Sequence, residues 1–323
     1  MSWRLTAGFA VALVGSVSFA SASPNYPVKP VRIIVPYAPG GPLDTVVRIV
    51  VRSLGERLGQ PFIADNRGGA GGTVGAELGA KAPADGYTLT AAGSANLTLA
   101  PSLYRKLQYD PMKDFAPVAR LTSSSYILVV HPSVQSRSLQ ELIALANAKP
   151  GQLNYASSGV GSMSHLSAEF FKAMTGLDIV NIAYKGTAPA VTELLGGQVS
   201  MMFSDIGTVL AHVKAGRLIG LGTTGTKRSA LAPTFPTVAE SGLPGFEVAI
   251  WYGLVAPRGT AKSVIARLND EVGRVLKLPE VKERLNNLGF ESDSITPDEF
   301  KAYIDSEFVR FGRLVKDAGI KPL

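Results

Sequence analysis

The chain has 323 residues, 46% of them hydrophobic, with 32 Lys and Arg against 25 Asp and Glu and no cysteine. The missing cysteines exclude disulfides and thiolate metal sites, and an exported chain of this kind fits a bacterial periplasm better than a disulfide-rich extracellular module. The net charge of +7 is scattered, with Lys227-Arg228 a typical densest cluster and no basic stripe interleaved with aromatics, which favours small anions over nucleic acid as partners.

Arg4, the apolar run Leu5–Phe19 and Ala20-Ser21-Ala22 read as a secretory signal cleaved after Ala22. The run is too short to span a bilayer comfortably, and no stop-transfer pattern follows it. Val31–Pro36 is a short β-branched run that predicts a buried strand. In Leu43–Leu58 the spacing of Val46, Val47, Val50, Val51, Leu54 and Leu58 predicts a helix. A short strand at Phe62–Ala64, a glycine loop at 66–72, a helix at Thr73–Ala82 and a strand at Tyr87–Ala91 complete a strand–helix alternation that implies a parallel sheet.

A second such set starts near Tyr126. Strands are expected at Tyr126–Val130, Leu153–Ala156, Asp178–Ile182, Val199–Phe203 and Leu218–Gly222. Between them run helices from a Ser138–Glu141 capping box to Ala148, from an N-cap at Ser162 to Met174, over Thr187–Leu195, and from Asp205 to Ala215. Trp251–Ala256 reads as an apolar strand returning to the first set. Helices follow at Thr260–Leu276 and Glu280–Leu288, and Thr296-Pro297-Asp298-Glu299 opens a last helix to about Lys316. Crossings near residues 125 and 250 divide the chain into a signal peptide at 1–22, a discontinuous lobe one at 23–124 and 251–323, and a lobe two at 125–250.

Two glycine tracts follow short apolar runs and precede helices: Pro39-Gly40-Gly41 and Ser158-Gly159-Val160-Gly161-Ser162. Glycine lets a ligand approach the backbone, and a helix start offers free N–H groups to an anion. Asp44 sits in the first turn of its helix, where it complements the dipole and holds the loop in shape. His165, one turn into the second helix, is either a donor to a carboxylate or a structural histidine packed on the loop. Ser94 and Asn96, in a loop after the strand Tyr87–Ala91, suit an orienting role or an ordinary turn. Asp205 is read first as a helix cap, second as a group facing a ligand. Tyr37 and Trp251 either wall a cleft or belong to the core.

Covalent chemistry finds little support. His131, His165 and His212 form no zinc motif, and neither a G-x-S-x-G elbow nor a phosphate-binding P-loop occurs. Ser162 and His165 share one helix turn, a poor geometry for attack on an ester.

Taken in order, these segments make the chain similar to the Bug-type extracytoplasmic solute receptors of tripartite tricarboxylate transporters. The resemblance runs from Tyr26 to Lys321. It is carried by Pro36-Tyr37-Ala38-Pro39-Gly40-Gly41 with Asp44 and Arg48, Asn66-Arg67 with Gly69-Ala70-Gly71-Gly72, and Asp85-Gly86-Tyr87-Thr88-Leu89. Gly161-Ser162 with His165-Leu166, Tyr184-Lys185-Gly186, Leu195-Gly196-Gly197, Pro236–Gly242 and Trp251 with Ala256-Pro257 extend it. The sequence departs at Gly68, where proline is usual, at Val47, where alanine is common, and at Tyr37, where phenylalanine or tryptophan is frequent.

The resemblance implies an α/β, two-lobed periplasmic-binding fold of type II, each lobe a mainly parallel sheet flanked by helices. It implies closure on a small carboxylate gripped by the loops at Gly40-Gly41, Ser94 and Ser158–His165. The expected ligand-binding set is Tyr37, Gly40, Gly41, Ser94, Asn96, Ser158, Gly161, Ser162, His165 and Asp205. The expected protein is a periplasmic monomer without catalytic residues, cofactor or metal, which delivers its ligand to membrane permease subunits. A sensor signalling to a membrane kinase and an exported serine hydrolase are the alternatives. Tricarboxylates, dicarboxylates, amino acids and aromatic carboxylates such as benzoate or terephthalate all fit.

Overall fold

The computed structural model describes residues 26–317 and 319; the expected signal segment lies outside them. The chain opens with β1 (Val31–Val35), α1 (Pro42–Leu58), β2 (Phe62–Asn66), α2 (Thr73–Ala80) and β3 (Thr88–Gly93). A π-helical turn, Ser94–Leu99, runs into the short α3 (Ala100–Leu103). Then come β4 (Phe115–Val130), α4 (Leu139–Ala148), β5 (Asn154–Ser157), α5 (Met163–Thr175), β6 (Val180–Ala183) and α6 (Thr187–Leu195). β7 (Met201–Asp205), α7 (Ile206–Lys214), β8 (Ile219–Thr223), β9 (Ala249–Pro257), α8 (Lys262–Leu276), α9 (Pro279–Asn287), β10 (Glu291–Ser292) and α10 (Pro297–Asp317) complete it.

The strands follow the order β2-β1-β3-β9-β4-β7-β5-β6, with β8 and β10 also paired to β4. β2, β1 and β3 are parallel, as are β7, β5 and β6. The parallel groups are joined by antiparallel pairings of β9 and β4, which run between them. The result is a mixed sheet: the crossing strands bring the chain back and so oppose their neighbours.

β4 is the shared element. Phe115–Ser125 pair with β9, and Tyr126–Val130 pair with β7 and β8. Its 16 residues extend about 50 Å at the usual strand rise, enough to belong to two sheets.

Local sequence explains where the helices begin and end. α1 starts at an extended Gly41 with Pro42 in its first turn, buries Leu43, Val46, Val47, Val50, Val51 and Leu54 on one stripe, and ends on a left-handed Gly59. α10 begins with a reciprocal cap: the Thr296 N–H donates to Glu299 Oε2 at 2.9 Å and the Glu299 N–H to Thr296 Oγ1 at 3.2 Å. α4 is capped by Ser138, but Glu141 turns to the N–H of Arg137 rather than that of Ser138.

The C-terminal segment does not pack in lobe one alone. Phe300 and Ile304 of α10 pack with Trp251 and Phe115, whereas Phe311, Leu314 and Val315 join Tyr155, Phe171, Phe203 and Phe246. Leu99 and Leu103 join that second core as well. α10 is a strut across both halves.

Candidate functional site

The loop after β1 is held by one buried carboxylate. Asp44, 2% exposed, accepts the Gly40 N–H at 2.8 Å and Arg48 Nε at 2.9 Å on Oδ2, and Asn66 Nδ2 at 2.9 Å on Oδ1. Asn66 Nδ2 also donates to the carbonyl of Tyr37. Burial works to raise the Asp44 pKa, but the hydrogen bonds from Arg48, Gly40 and Asn66 outweigh it and keep the carboxyl below its usual range. The Gly40 amide, expected to face a ligand, is therefore spent within the loop. Gly41 keeps an N–H without a partner among the described residues.

Tyr37 and Tyr104 lie across the glycine loop that follows β2. The Tyr37 O–H donates to Gly71 O at 3.2 Å and the Tyr104 O–H to Ala70 O at 3.1 Å. A Cβ on Gly72 would sit 2.8 Å from Tyr37 Cζ, and one on Gly71 2.5 Å from Tyr104 Oη. The glycines thus make room for two rings.

The second tract is organised by a residue that the sequence reading left out. Ser164 Oγ accepts the Ser158 N–H at 2.9 Å and lies 3.0 Å from the hydroxyls of both Ser158 and Ser162. Ser162 caps α5 as expected, accepting the His165 N–H at 3.3 Å. His165 Nδ1 accepts the Gly161 N–H at 3.4 Å, so the proton of the neutral ring resides on Nε2. Burial, aided by Lys172 and opposed by Glu169, lowers the His165 pKa and keeps the ring neutral. Ser162 and His165 meet through the backbone, not through the imidazole.

Ser94 and Asn96 correct the expectation of an open loop. Both lie in the π-helical turn, 1% and 0% exposed. Ser94 Oγ accepts the Trp251 N–H at 3.1 Å, and Asn96 Oδ1 accepts the Gly93 N–H at 2.8 Å. Their oxygens fasten β3 to β9 and fold the turn.

Asp205 changes role. It ends β7, paired in register with Tyr126, and its carboxylate makes no cap hydrogen bond to α7. The strand runs two residues further than expected, so the pleat rather than the helix aims this side chain. It is half-buried, and desolvation pushes its pKa up to about 6. Two tyrosines are close enough for its charge to act on them: Tyr126, whose phenol is raised by burial and then by Asp205, and Tyr252, raised by burial, Asp205 and Tyr37.

Tyr252 is the cleft aromatic that sequence reasoning missed. Trp251 is fully buried, edge-on to Phe300 at 5.2 Å. Its neighbour points the other way, as alternate residues of a strand do, and lies over Gly93, whose added Cβ would meet the Tyr252 ring at 2.9 Å. The only signal available was the aromatic pair itself. These residues trace a rim from Asp205 through Tyr252 and Tyr37 to the glycine loop, Tyr104 and Leu103; Asp205 and Tyr37 lie near enough for their charges to act on Tyr252. A Cβ on Gly161 would lie 3.6 Å from Leu103 Cδ1. The rim encloses aromatic faces, one exchangeable carboxyl and helix starts with unpaired amides, a surface suited to small polar ligands. Among the described residues no group of three or more His, Asp and Glu could hold a metal, and no helix is long and apolar enough to cross a membrane.

Comparison with known proteins places this arrangement. Residues 46–320 match the family described as "Tripartite tricarboxylate transporter family receptor". The protein BugT of Bordetella pertussis is 37% identical over 315 residues, covering 97% of this chain and 96% of BugT. A protein encoded in the tcbD-tcbE intergenic region of Pseudomonas sp. strain P51 is 36% identical, covering 97% of this chain and 93% of its own length. Among solved structures, R. palustris Rpa4515 with adipate is 35% identical with a TM-score of 0.79, covering 92% of this chain and all (100%) of that one. MatC from Rhodopseudomonas palustris with bound malate is 34% identical with a TM-score of 0.75, covering 90% and 100%, and the periplasmic binding protein BugD is 33% identical with a TM-score of 0.76, covering 92% and 100%. The fold is that of the two-lobed α/β periplasmic binding proteins, and the chain belongs to the tripartite tricarboxylate transporter receptor family.

Proposed function

We propose that the protein is a periplasmic receptor that captures a small carboxylate between two lobes and delivers it, unmodified, to the membrane subunits of a tripartite tricarboxylate-type transporter. Lobe one is the β1–β3 sheet with α1, α2, α8 and α9; lobe two is the β5–β8 sheet with α4–α7. Tyr37, Gly41 and the start of α1 line one side. Ser158, Gly161, Ser162, His165 and Asp205 line the other, with Tyr126 and Tyr252 at the floor; Gly40, Ser94 and Asn96 support them. The observation that carries the reading is the rim itself: elements from both sheets converge on Tyr37, Tyr252 and Asp205, which solvent reaches although protein surrounds them.

Adipate and malate in the similar structures make dicarboxylates the favoured class. A ligand touching both lobes favours the closed arrangement by its differential affinity for it. His165 Nε2–H donates to one carboxylate. Asp205, protonated, donates to a second oxygen or accepts from a ligand hydroxyl.

Thermal melting of the mature protein against citrate, malate, adipate, acidic amino acids, benzoate and terephthalate tests the reading. A ligand at a hundred times its dissociation constant adds about 2.7 kcal/mol of stability, so a selective upward shift is expected. A flat response across the panel, from protein whose denatured extract releases no small acid by mass spectrometry, overturns it.

A further inference from the structure

The start of α7 and the turn after α9 approach each other at a pair of glycines. Gly207, in the first turn of α7, abuts the turn Leu288–Gly289 between α9 and β10. A Cβ on Gly207 would sit 2.6 Å from Leu288 O and 2.8 Å from the Gly289 nitrogen, and a Cβ on Gly289 2.5 Å from the Gly207 nitrogen. Gly289 needs glycine for its own backbone, at φ +84; Gly207 does not lie in the left-handed region. Only the approach of the opposing backbone demands the absence of a side chain there.

The same turn is pinned at two other points. Ser124 Oγ, on β4 beside the handover between sheets, donates to Gly289 O at 2.8 Å. Glu291 Oε1 accepts Ser229 Oγ at 2.6 Å and the Ala230 N–H at 3.0 Å, both from the loop after β8. Beside these contacts opens a polar cavity of about 410 Å³, with Arg120, Ser124, Ser229 and Glu291 among its walls. The backbone approach at Gly207 and the two hydrogen bonds to Glu291 are contacts that can part without breaking a core.

We propose that the Leu288–Glu291 turn is the stop that limits how near lobe two comes to lobe one, a contact already engaged in this structure. Gly207 is then a positioning residue: the missing side chain sets how far the start of α7, and Asp205 two residues before it, enters the cleft. The part concerning Asp205 rests on the carboxylate-receptor reading; the stop does not.

The test is Gly207→Ala in the full mature chain. Alanine is the better helix former, so α7 itself is not harmed and any effect comes from the contact. The native chain has no cysteine, so spin labels on Arg52→Cys (lobe one) and Lys149→Cys (lobe two) report the interlobe distance by double electron–electron resonance. Gly207→Ala should lengthen that distance with and without malate or adipate as probe, and weaken whichever probe the parent binds by about tenfold or more. Ser229→Ala, which adds no bulk, should broaden the distance distribution. Unchanged distances in both variants overturn the stop, as does a fall in melting temperature with distance and affinity intact. A longer distance with undiminished probe affinity overturns the positioning role. If the parent binds neither probe, the ligand-free distances still decide the stop.

Discussion

At the scale of single residues the candidate site carries one carboxyl whose charge is exchangeable near pH 6. Asp205 has a folded pKa of about 6 against an ordinary 3.8, because burial penalises the carboxylate. A pKa raised by folding favours the native state while the group is protonated. That advantage is complete below about pH 4 and is lost as the pH rises through 6. The groups facing Asp205 are the phenols of Tyr126 and Tyr252, neither of which supplies a compensating positive charge. Asp205→Asn should leave stability nearly unchanged at pH 4 and raise it by up to about 3 kcal/mol at pH 8, as read by urea unfolding. An equal effect at both values would show that the carboxyl is not the titrating group. The ligand anion works in the same direction: in the native protein, dicarboxylate binding should take up a proton near pH 7, and in Asp205→Asn it should not.

At the scale of elements, legibility followed how local the cause was. α1 could be read from its valine spacing and Pro42, and the α10 start from Thr296, Pro297 and Glu299, because adjacent residues settle both. β4 could be read only from Tyr126 on. Its first part carries Pro117, Arg120 and Ser123–Ser125, a polar run that is a strand because β9 pairs with it. Ser94–Leu99 read as a loop because Gly93-Ser94 looks like a turn; the bond from the Trp251 N–H to Ser94, far away in sequence, coils it instead. The site followed the same rule. The glycine tracts and Ser162 were visible, while Tyr252 and the direction of the Asp205 side chain depend on strand register.

The loop before α1 shows such a local device at work. Asp44 gathers three donors, and its removal leaves the Gly40 amide and Asn66 Nδ2 without that acceptor. Arg48 is half-exposed and Gly40 exposed, so water replaces part of the loss, and Asp44→Ala should cost about 1–3 kcal/mol. Because the Asp44 pKa is lowered by folding, its contribution is present at neutral pH and is lost as the pH falls below 4. Faster hydrogen exchange at the amides of Ala38, Gly40 and Gly41, with α8 unaffected, is the expected signature. Uniformly faster exchange would mean a global loss rather than a loosened loop.

On the scale of the whole molecule, the two proposed lobes share elements that should make them one folding unit. β4 serves both sheets, Tyr252 packs against both large cores, and α10 starts in one core and ends in the other. Unfolding one lobe alone would strip the strut from the other and expose Phe311, which is fully buried. Phe311→Ala should therefore cost about 3–5 kcal/mol, and the cost should appear as a downward shift of one calorimetric transition whose van't Hoff and calorimetric enthalpies agree. Two resolved transitions, of which only the lobe-two transition moves, would show that α10 caps a single lobe and that the halves fold independently. Although Arg310 lies over the Phe311 ring and pairs with Glu307, what the ring contributes is chiefly burial, so raising the salt concentration should leave the Phe311→Ala deficit nearly unchanged.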